Sequence, residues 1–393
     1  MKYLFTLLFL AASLSLSAQK EADVLKEANT LIASKQYESA FRKLEEFDKD
    51  NTRPAVVVLK ANIMMDYFVT SMMHQMFALK DLAPGEDIMD YRGKEGHFSM
   101  FTFVPNEALE ALIAKYPDNC ALYNTLGHFY HEVYTKYGEN WLKTPDELLN
   151  LMEANCAKAV VGKCAGFDAY ETLGFVALNR EKYSEAIPFY LEAIKLDKEY
   201  ATSYYNVAYA YLYKDDRANA IKYGTEAYNR YTDAAYKADA ARMVGMAYSE
   251  LSDGVNATLW YEKSNVADPG NYYTLRPLLD AYVLNKDARA AATRNEFFNL
   301  APGNPTIYAD LEKIYHNDKD SLIAFYNSKF GSFTNDDKVT GSLHFYLGSL
   351  YIDNDNPTAH SHFLKAKAHL TKSVEAGNSV FDVLEEVLEY TKG

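Results

Sequence analysis

Tyr170-Glu171-Thr172-Leu173-Gly174-Phe175-Val176-Ala177, a polar break at Asn179-Arg180-Glu181-Lys182, then Ala186-Ile187-Pro188-Phe189-Tyr190-Leu191-Glu192-Ala193: this stretch decides the fold. On each side of the break apolar side chains fall at i, i+3, i+4 and i+7, the spacing of one helix face, and the break is only long enough for a tight turn. The two helices therefore run antiparallel. Gly174 and Ala186 have almost no side chain, so the two backbones can approach closely, and Tyr190 fills the space beside them. One such pair leaves an apolar face in water, and only stacked neighbours can bury it.

The neighbours follow in the chain. Tyr204-x-x-Val207-Ala208-x-x-Tyr211 with Ala220 and Ala227 is a second copy. Val244-Gly245-x-x-Tyr248 with Ala257-x-x-x-Tyr261 and Pro269 is a third, and Leu278-Leu279-x-x-Tyr282 with Ala291 a fourth. Equivalent positions 174, 208, 245 and 279 are separated by 34, 37 and 34 residues, the period of a helix-pair repeat. The pattern resembles the tetratricopeptide repeat family, exported bacterial type. That resemblance implies an all-α fold, a right-handed α-solenoid of helix-turn-helix repeats, with its first helices lining a concave groove.

Working outward, residues 167–304 hold four regular repeats. Residues 19–52 make a first unit on Ala28, Leu31, Tyr37, Ala40 and Leu44. Tyr123-x-x-Leu126-Gly127-x-x-Tyr130 opens a repeat over 119–166, whose second helix, Pro145–Val161, is delayed by a loop at Lys136 to Thr144. Degenerate repeats cover 305–376 through Tyr308, Leu311, Tyr315, Ala324 and Leu347-Gly348-x-x-Tyr351. A capping helix fills 377–393, with Val380, Val383, Leu384, Val387 and Leu388 on one stripe. The departure is 53–118. There the sequence predicts a long apolar helix from Ala55 to Leu82, then an insertion at 83–105 containing Pro84-Gly85 and Phe98, Phe101 and Phe103. The three Phe residues predict that it packs over one edge of the repeat stack.

Residues 1–18 read as a signal peptide: Lys2, a short apolar core from Tyr3 to Leu16, and small residues at a cut after Ala18 or Ser17. The core is too short to span a bilayer, and no later run reaches that length. The expected protein is exported, periplasmic or secreted, without a transmembrane segment. Losing Lys2 takes the formal charge from −14 to −15, which repels polyanions and makes nucleic acid a poor partner. Cys120, Cys156 and Cys164 allow at most one internal disulfide, and at least one of them is expected unpaired and buried.

Chemistry is harder to find. His128, His131 and Glu132 look like part of a zinc-protease helix, but H-E-x-x-H needs a second His where Thr135 stands. His360 and His362 lie too close to share a helix face. No phosphate-binding loop, dinucleotide fingerprint or nucleophile elbow occurs. The chain is expected not to be an enzyme and to need no cofactor or metal. Helix geometry puts one row of the first helices offset from the packing face, and the resemblance to tetratricopeptide proteins implies that this row faces a ligand: Asn124, His128 and His131; Glu171, Phe175 and Asn179; Tyr205, Tyr209 and Tyr213; Arg242, Met246 and Glu250; Arg276 and Asp280. Aromatic rings offer broad contact area at low entropy cost, while Arg242 and Arg276 suit a carboxylate. The expected function is that of a non-enzymatic exported scaffold holding protein or peptide segments, in a role such as cell-envelope assembly. Carbohydrate binding through the groove aromatics is the alternative, and a metal-dependent enzyme stands behind it.

Overall fold

A computed structural model describes residues 2–94, 96–138, 141 and 143–392, with backbone alone for 2–17. The export segment expected at 1–18 lies, but for Ala18, outside the residues whose side chains are described. The chain divides into two compact units, residues 1–215 and 216–393. Both are built of helix pairs, so among the described residues the fold is all-α apart from one small sheet.

In the first unit α1 (Lys2–Ala33) pairs with α2 (Tyr37–Phe47), α5 (Cys120–Tyr137) with α6 (Pro145–Val161), and α7 (Phe167–Asn179) with α8 (Tyr183–Leu196), followed by α9 (Ala201–Tyr213). The second unit runs α10 (Arg217–Arg230), α11 (Ala234–Glu250), α12 (Gly254–Ala267), α13 (Tyr272–Leu284), α14 (Ala290–Leu300), α15 (Pro305–Ile314), α16 (Lys319–Lys329), α17 (Asp337–Tyr351), α18 (Asn356–Ser373) and α19 (Val380–Tyr390). One device ends the first helix of several pairs. Glu181, Ser252 and Lys286 adopt positive φ of 57°, 60° and 53°. The next amide then reaches back to the helix: Lys182 N–H to the Ala177 carbonyl at 2.8 Å, Asp253 to Tyr248 at 2.9 Å, Asp287 to Tyr282 at 2.8 Å. This satisfies a carbonyl that the helix end leaves open. Asp253 then caps the following helix by accepting from the Asn256 amide at 3.1 Å.

The small positions do what their size permits. A Cβ on Gly174 would lie 2.7 Å from the Tyr190 ring, on Gly245 2.7 Å from the Tyr261 ring, and on Gly348 2.6 Å from the Phe363 ring. Tyr190 is fully buried and Tyr261 nearly so. These three pairs are thus keyed by an aromatic ring seated where a side chain is missing.

Residues 53–118 correct the sequence reading. The expected helix from Ala55 to Leu82 stops early: α3 spans Pro54–Asp66 and α4 spans Pro105–Lys115. Between them β1 (Thr70–Met72), β2 (Met76–Ala78) and β3 (Met100–Thr102) form an antiparallel sheet in the order β1-β2-β3. Met73 and His74, with φ of 51° and 52°, turn the first hairpin without the Asn-Gly or Asp-Gly that announces such turns. Residues 83–105 are therefore not a separate insertion, because β3 at their end completes a sheet begun at Thr70. Phe101 and Phe103 meet Phe41 of α2 with centroids 5.0 and 6.2 Å apart, and Phe77 joins them. Phe98 instead covers Gly96. At the other end α19 buries Leu384 and Leu388 only, while Val383 is exposed, so the capping stripe is narrower than expected.

Cys120 is bonded to Cys164, joining the start of α5 to the turn after α6, with Cα atoms 6.1 Å apart. Cys156 is a buried free thiol, and burial raises it to about 12.

Candidate functional site

The row of side chains expected to bind divides between the two units. In the first unit it lies on α5, α7 and α9, and all of its members keep some exposure. Several are tied to neighbours. Asn124 Oδ1 accepts from the Gly166 amide at 3.3 Å. The His131 ring meets Phe175 edge-on at 4.9 Å, and Tyr134 meets the same ring at 5.5 Å. Tyr134 donates to Asn179 Oδ1 at 3.4 Å. Glu171 accepts from the Ser203 hydroxyl, yet burial outweighs that bond and raises its carboxyl to about 7. On α9, Tyr209 and Tyr213 lie 4.6 Å apart, and Tyr183 of α8 stacks on Tyr213 at 5.0 Å. Tyr213 keeps 55% of its surface exposed, so this trio is an open aromatic shelf.

Beside α5 the sheet contributes what sequence reasoning missed. His74, fully buried in the first hairpin turn, shares Nδ1 with the Ser71 hydroxyl at 3.1 Å, and Ser71 also accepts from Tyr137 of α5 at 3.0 Å. Its Nε2 points toward Glu132 at 3.9 Å, beyond hydrogen-bond reach. His128 Nε2 is 3.9 Å from the other Glu132 oxygen, and its Nδ1 is 3.7 Å from Asp168. Lys136 pairs with Glu132. Burial lowers His74 and His131 to about 4 and raises Asp66. For Glu132 burial opposes ionisation, but the hydrogen bond and charge of the Lys136 ammonium hold it below the usual range. Glu132 and Lys136 thus face the buried rings of His74 and His131, which resist protonation, and the bond from Tyr137 to Ser71 docks the sheet on α5. Among the described residues no group of three or more His, Cys, Asp or Glu is arranged to hold a metal ion.

The second unit contains an opening on the same row. A cleft of about 600 Å³ lies between α11, the start of α12, and α13, and Arg242, Met246, Arg276 and Asp280 of the expected row all line it. Tyr272, Tyr273 and Ser249 line it too, positions that the repeat arithmetic did not single out. Glu250 is drawn aside by an ion pair with Arg217. Arg276 gives its Nε–H to Asp310 at 2.9 Å, and Tyr272 donates to the same carboxylate at 2.5 Å. Arg242 donates to Asp239 at 2.9 Å and to the Met246 sulfur at 3.8 Å, with Tyr273 5.9 Å beneath its guanidinium. Both arginines are therefore oriented by internal partners. The volume is in the range of small-ligand and peptide side-chain pockets.

No protein-family model matches the chain, and no curated protein matches it in sequence. Solved structures do resemble it. The tetratricopeptide protein YrrB, described as having an unusual peptide-binding site, is 16% identical over 53% of this chain and 99% of its own, with a TM-score of 0.43. PilF of Pseudomonas aeruginosa is 16% identical over 53% of this chain and 88% of its own, at a TM-score of 0.40. The Naa15/Naa10 complex bound to HypK-THB matches 95% of this chain and 51% of its own at 12% identity and a TM-score of 0.47. Likeness of that degree bears on neither ligand nor activity. No helix among the described residues is long and apolar enough to cross a membrane.

Proposed function

We propose that this chain is a non-enzymatic exported scaffold that binds extended protein or peptide segments on the exposed faces of its first helices, with the cleft between α11 and α13 as a principal docking point. The observation that carries the reading is the lining of that cleft. Two arginines are pre-positioned by Asp239 and Asp310, an exposed Tyr273 and a half-buried Tyr272 line the cleft with them, and Met246 adds an adaptable thioether to the lining. Rings and a thioether accept varied apolar side chains, while the guanidinium groups favour a carboxylate or a backbone carbonyl nearby. A role in cell-envelope assembly belongs to the same reading, since an exported scaffold meets its partners there.

Peptides selected by display against the full chain test it. Fluorescence anisotropy should show the selected peptides losing about tenfold or more in affinity with Tyr273→Ala or Arg242→Ala, with the thermal midpoint nearly unchanged because Tyr273 is 67% exposed. Equal affinity for the parent and both variants would remove the cleft from the function.

A further inference from the structure

The cleft between α11 and α13 leaves some of its lining groups satisfied and others open, and the open ones decide what enters. Arg242 is engaged by Asp239 and the Met246 sulfur. Ser249 and Tyr261 share a hydrogen bond at 3.2 Å, and Tyr272 donates to Asp310. Asp280 differs. It is the one charged side chain of the lining with no hydrogen bond or ion pair among the described residues, and it stands exposed. One turn before it, Arg276 uses only its Nε–H, on Asp310, so both terminal amino groups of its guanidinium stay open. A third open group belongs to the backbone. Pro277 lies inside α13 and has no N–H, so the Tyr273 carbonyl, four residues before it, loses its helix partner. Tyr273, Arg276, Pro277 and Asp280 all line the cleft, at the i, i+3, i+4 and i+7 spacing of one helix face.

We propose that this cleft captures the amino-terminal residue of a peptide. Its ammonium group sits on the Asp280 carboxylate, its first carbonyl on the terminal amino groups of Arg276, and its side chain against Met246, Ala257 and Leu284. This rests on the peptide-binding reading of the cleft and names the part of the peptide that docks there.

Charge balance favours an ammonium over a carboxylate. Burial opposes ionisation of Asp310, but the bonds from Tyr272 and Arg276 hold it below the usual carboxylate range. Each guanidinium therefore already has a carboxylate beside it, Asp239 for Arg242 and Asp310 for Arg276. The uncompensated charge is that of Asp280, and the Tyr273 carbonyl is a second acceptor for ammonium protons. Spacing then separates a chain end from a lysine. Residues i and i+4 on a helix carry their Cβ atoms about 5–6 Å apart. A chain end holds ammonium and carbonyl on neighbouring atoms, so one residue reaches both Asp280 and Arg276. A lysine ammonium ends a long flexible stem, away from any carbonyl, and engages Asp280 alone.

Short random peptide amides lacking Lys, each as the free amine and as the N-acetyl form, are passed over the immobilised full chain and identified by mass spectrometry. Free amines should be retained over their acetylated twins by about tenfold or more, the scale of one charge-assisted hydrogen bond. Asp280→Asn, at an exposed position and checked for fold by circular dichroism, should abolish the preference. Glu250→Gln is the control for surface charge at large: that carboxylate lies on the same row but pairs with Arg217, and its loss should leave the preference intact. Equal retention of the two forms, a folded Asp280→Asn chain that still prefers free amines, or a preference lost equally in Glu250→Gln would overturn the proposal while leaving peptide binding in place. Retention of neither form would remove the peptide-binding reading with it.

Discussion

Replacing Gly174 by Ala adds one methyl group at the point where α7 and α8 touch. The new Cβ would stand 2.7 Å from Cε2 and Cζ of Tyr190 and 2.9 Å from its Cδ2, against a comfortable carbon–carbon distance of about 3.5–4.0 Å. Tyr190 has 0% exposure, so its ring has no solvent to swing into. The helices must part by about 1 Å or the ring must leave its rotamer, and overpacking of that kind costs about 1–3 kcal/mol. Alanine returns about 1 kcal/mol through its better helix propensity. The net expectation is a loss of about 1 kcal/mol, with Gly174→Val worse because it adds bulk and returns less. Hydrogen exchange followed by mass spectrometry localises the effect: amides of α7 and α8 should exchange about fivefold faster in Gly174→Ala. Tyr190→Leu should couple to it favourably, since the methyl group then occupies part of the vacated space. Gly254→Ala is the control. Nothing lies within 4 Å of its added Cβ, and the change should stabilise by about 0.4–1 kcal/mol. A Gly174→Ala protein with α7 and α8 as protected as in the parent would refute the keyed packing of the repeat.

Acid should loosen the sheet on α5. His74 and His131 titrate at about 4 in the folded chain, below their unfolded value of about 6.5. The unfolded state therefore binds protons first as pH falls. Their stabilisation is complete above about pH 6.5 and drains away toward pH 4, on the order of 3 kcal/mol for the fully buried His74. His74→Asn tolerates the positive φ and should flatten the decline of the urea midpoint between pH 6.5 and 4; an unchanged slope would clear His74 of the effect. The Cys120–Cys164 bond closes a separation of 44 residues, which chain entropy values at about 4 kcal/mol. Cys120→Ser with Cys164→Ser should lower the thermal midpoint and speed exchange in α5 and α6, and a midpoint equal to the parent's would show that the bond contributes nothing.

The repeat was legible because its signal is local and repeated. Gly174, Gly245 and Gly348 face rings fifteen or sixteen residues further along the chain, so the spacing that betrays the contact also makes it. The expected second helix of the 119–166 repeat, Pro145–Val161, coincides with α6 because Thr144 caps it and Glu147 completes a capping box. The sheet was missed for a matching reason. Ala55 to Leu82 is apolar enough for either structure, but beyond Asp66 the chain enters a sheet in which β1 pairs with β2 and β2 with β3, as Phe77 with Phe101, while Phe101 and Phe103 seat on Phe41.

The same division holds at the sites. Helical periodicity alone put Arg242, Met246, Arg276 and Asp280 on one row, and the cleft in the second unit is lined by all four. Their partners Asp239 and Asp310, the tyrosines beside them, and the approach of His74 to Glu132 came from packing between elements. Sequence determines which face of a helix a side chain occupies, because the helical turn is fixed by backbone geometry. Which side chain of another element it meets depends on how far apart and at what angle the helices settle, and burial of rings such as Tyr190 and Tyr261 sets that only once the chain has folded.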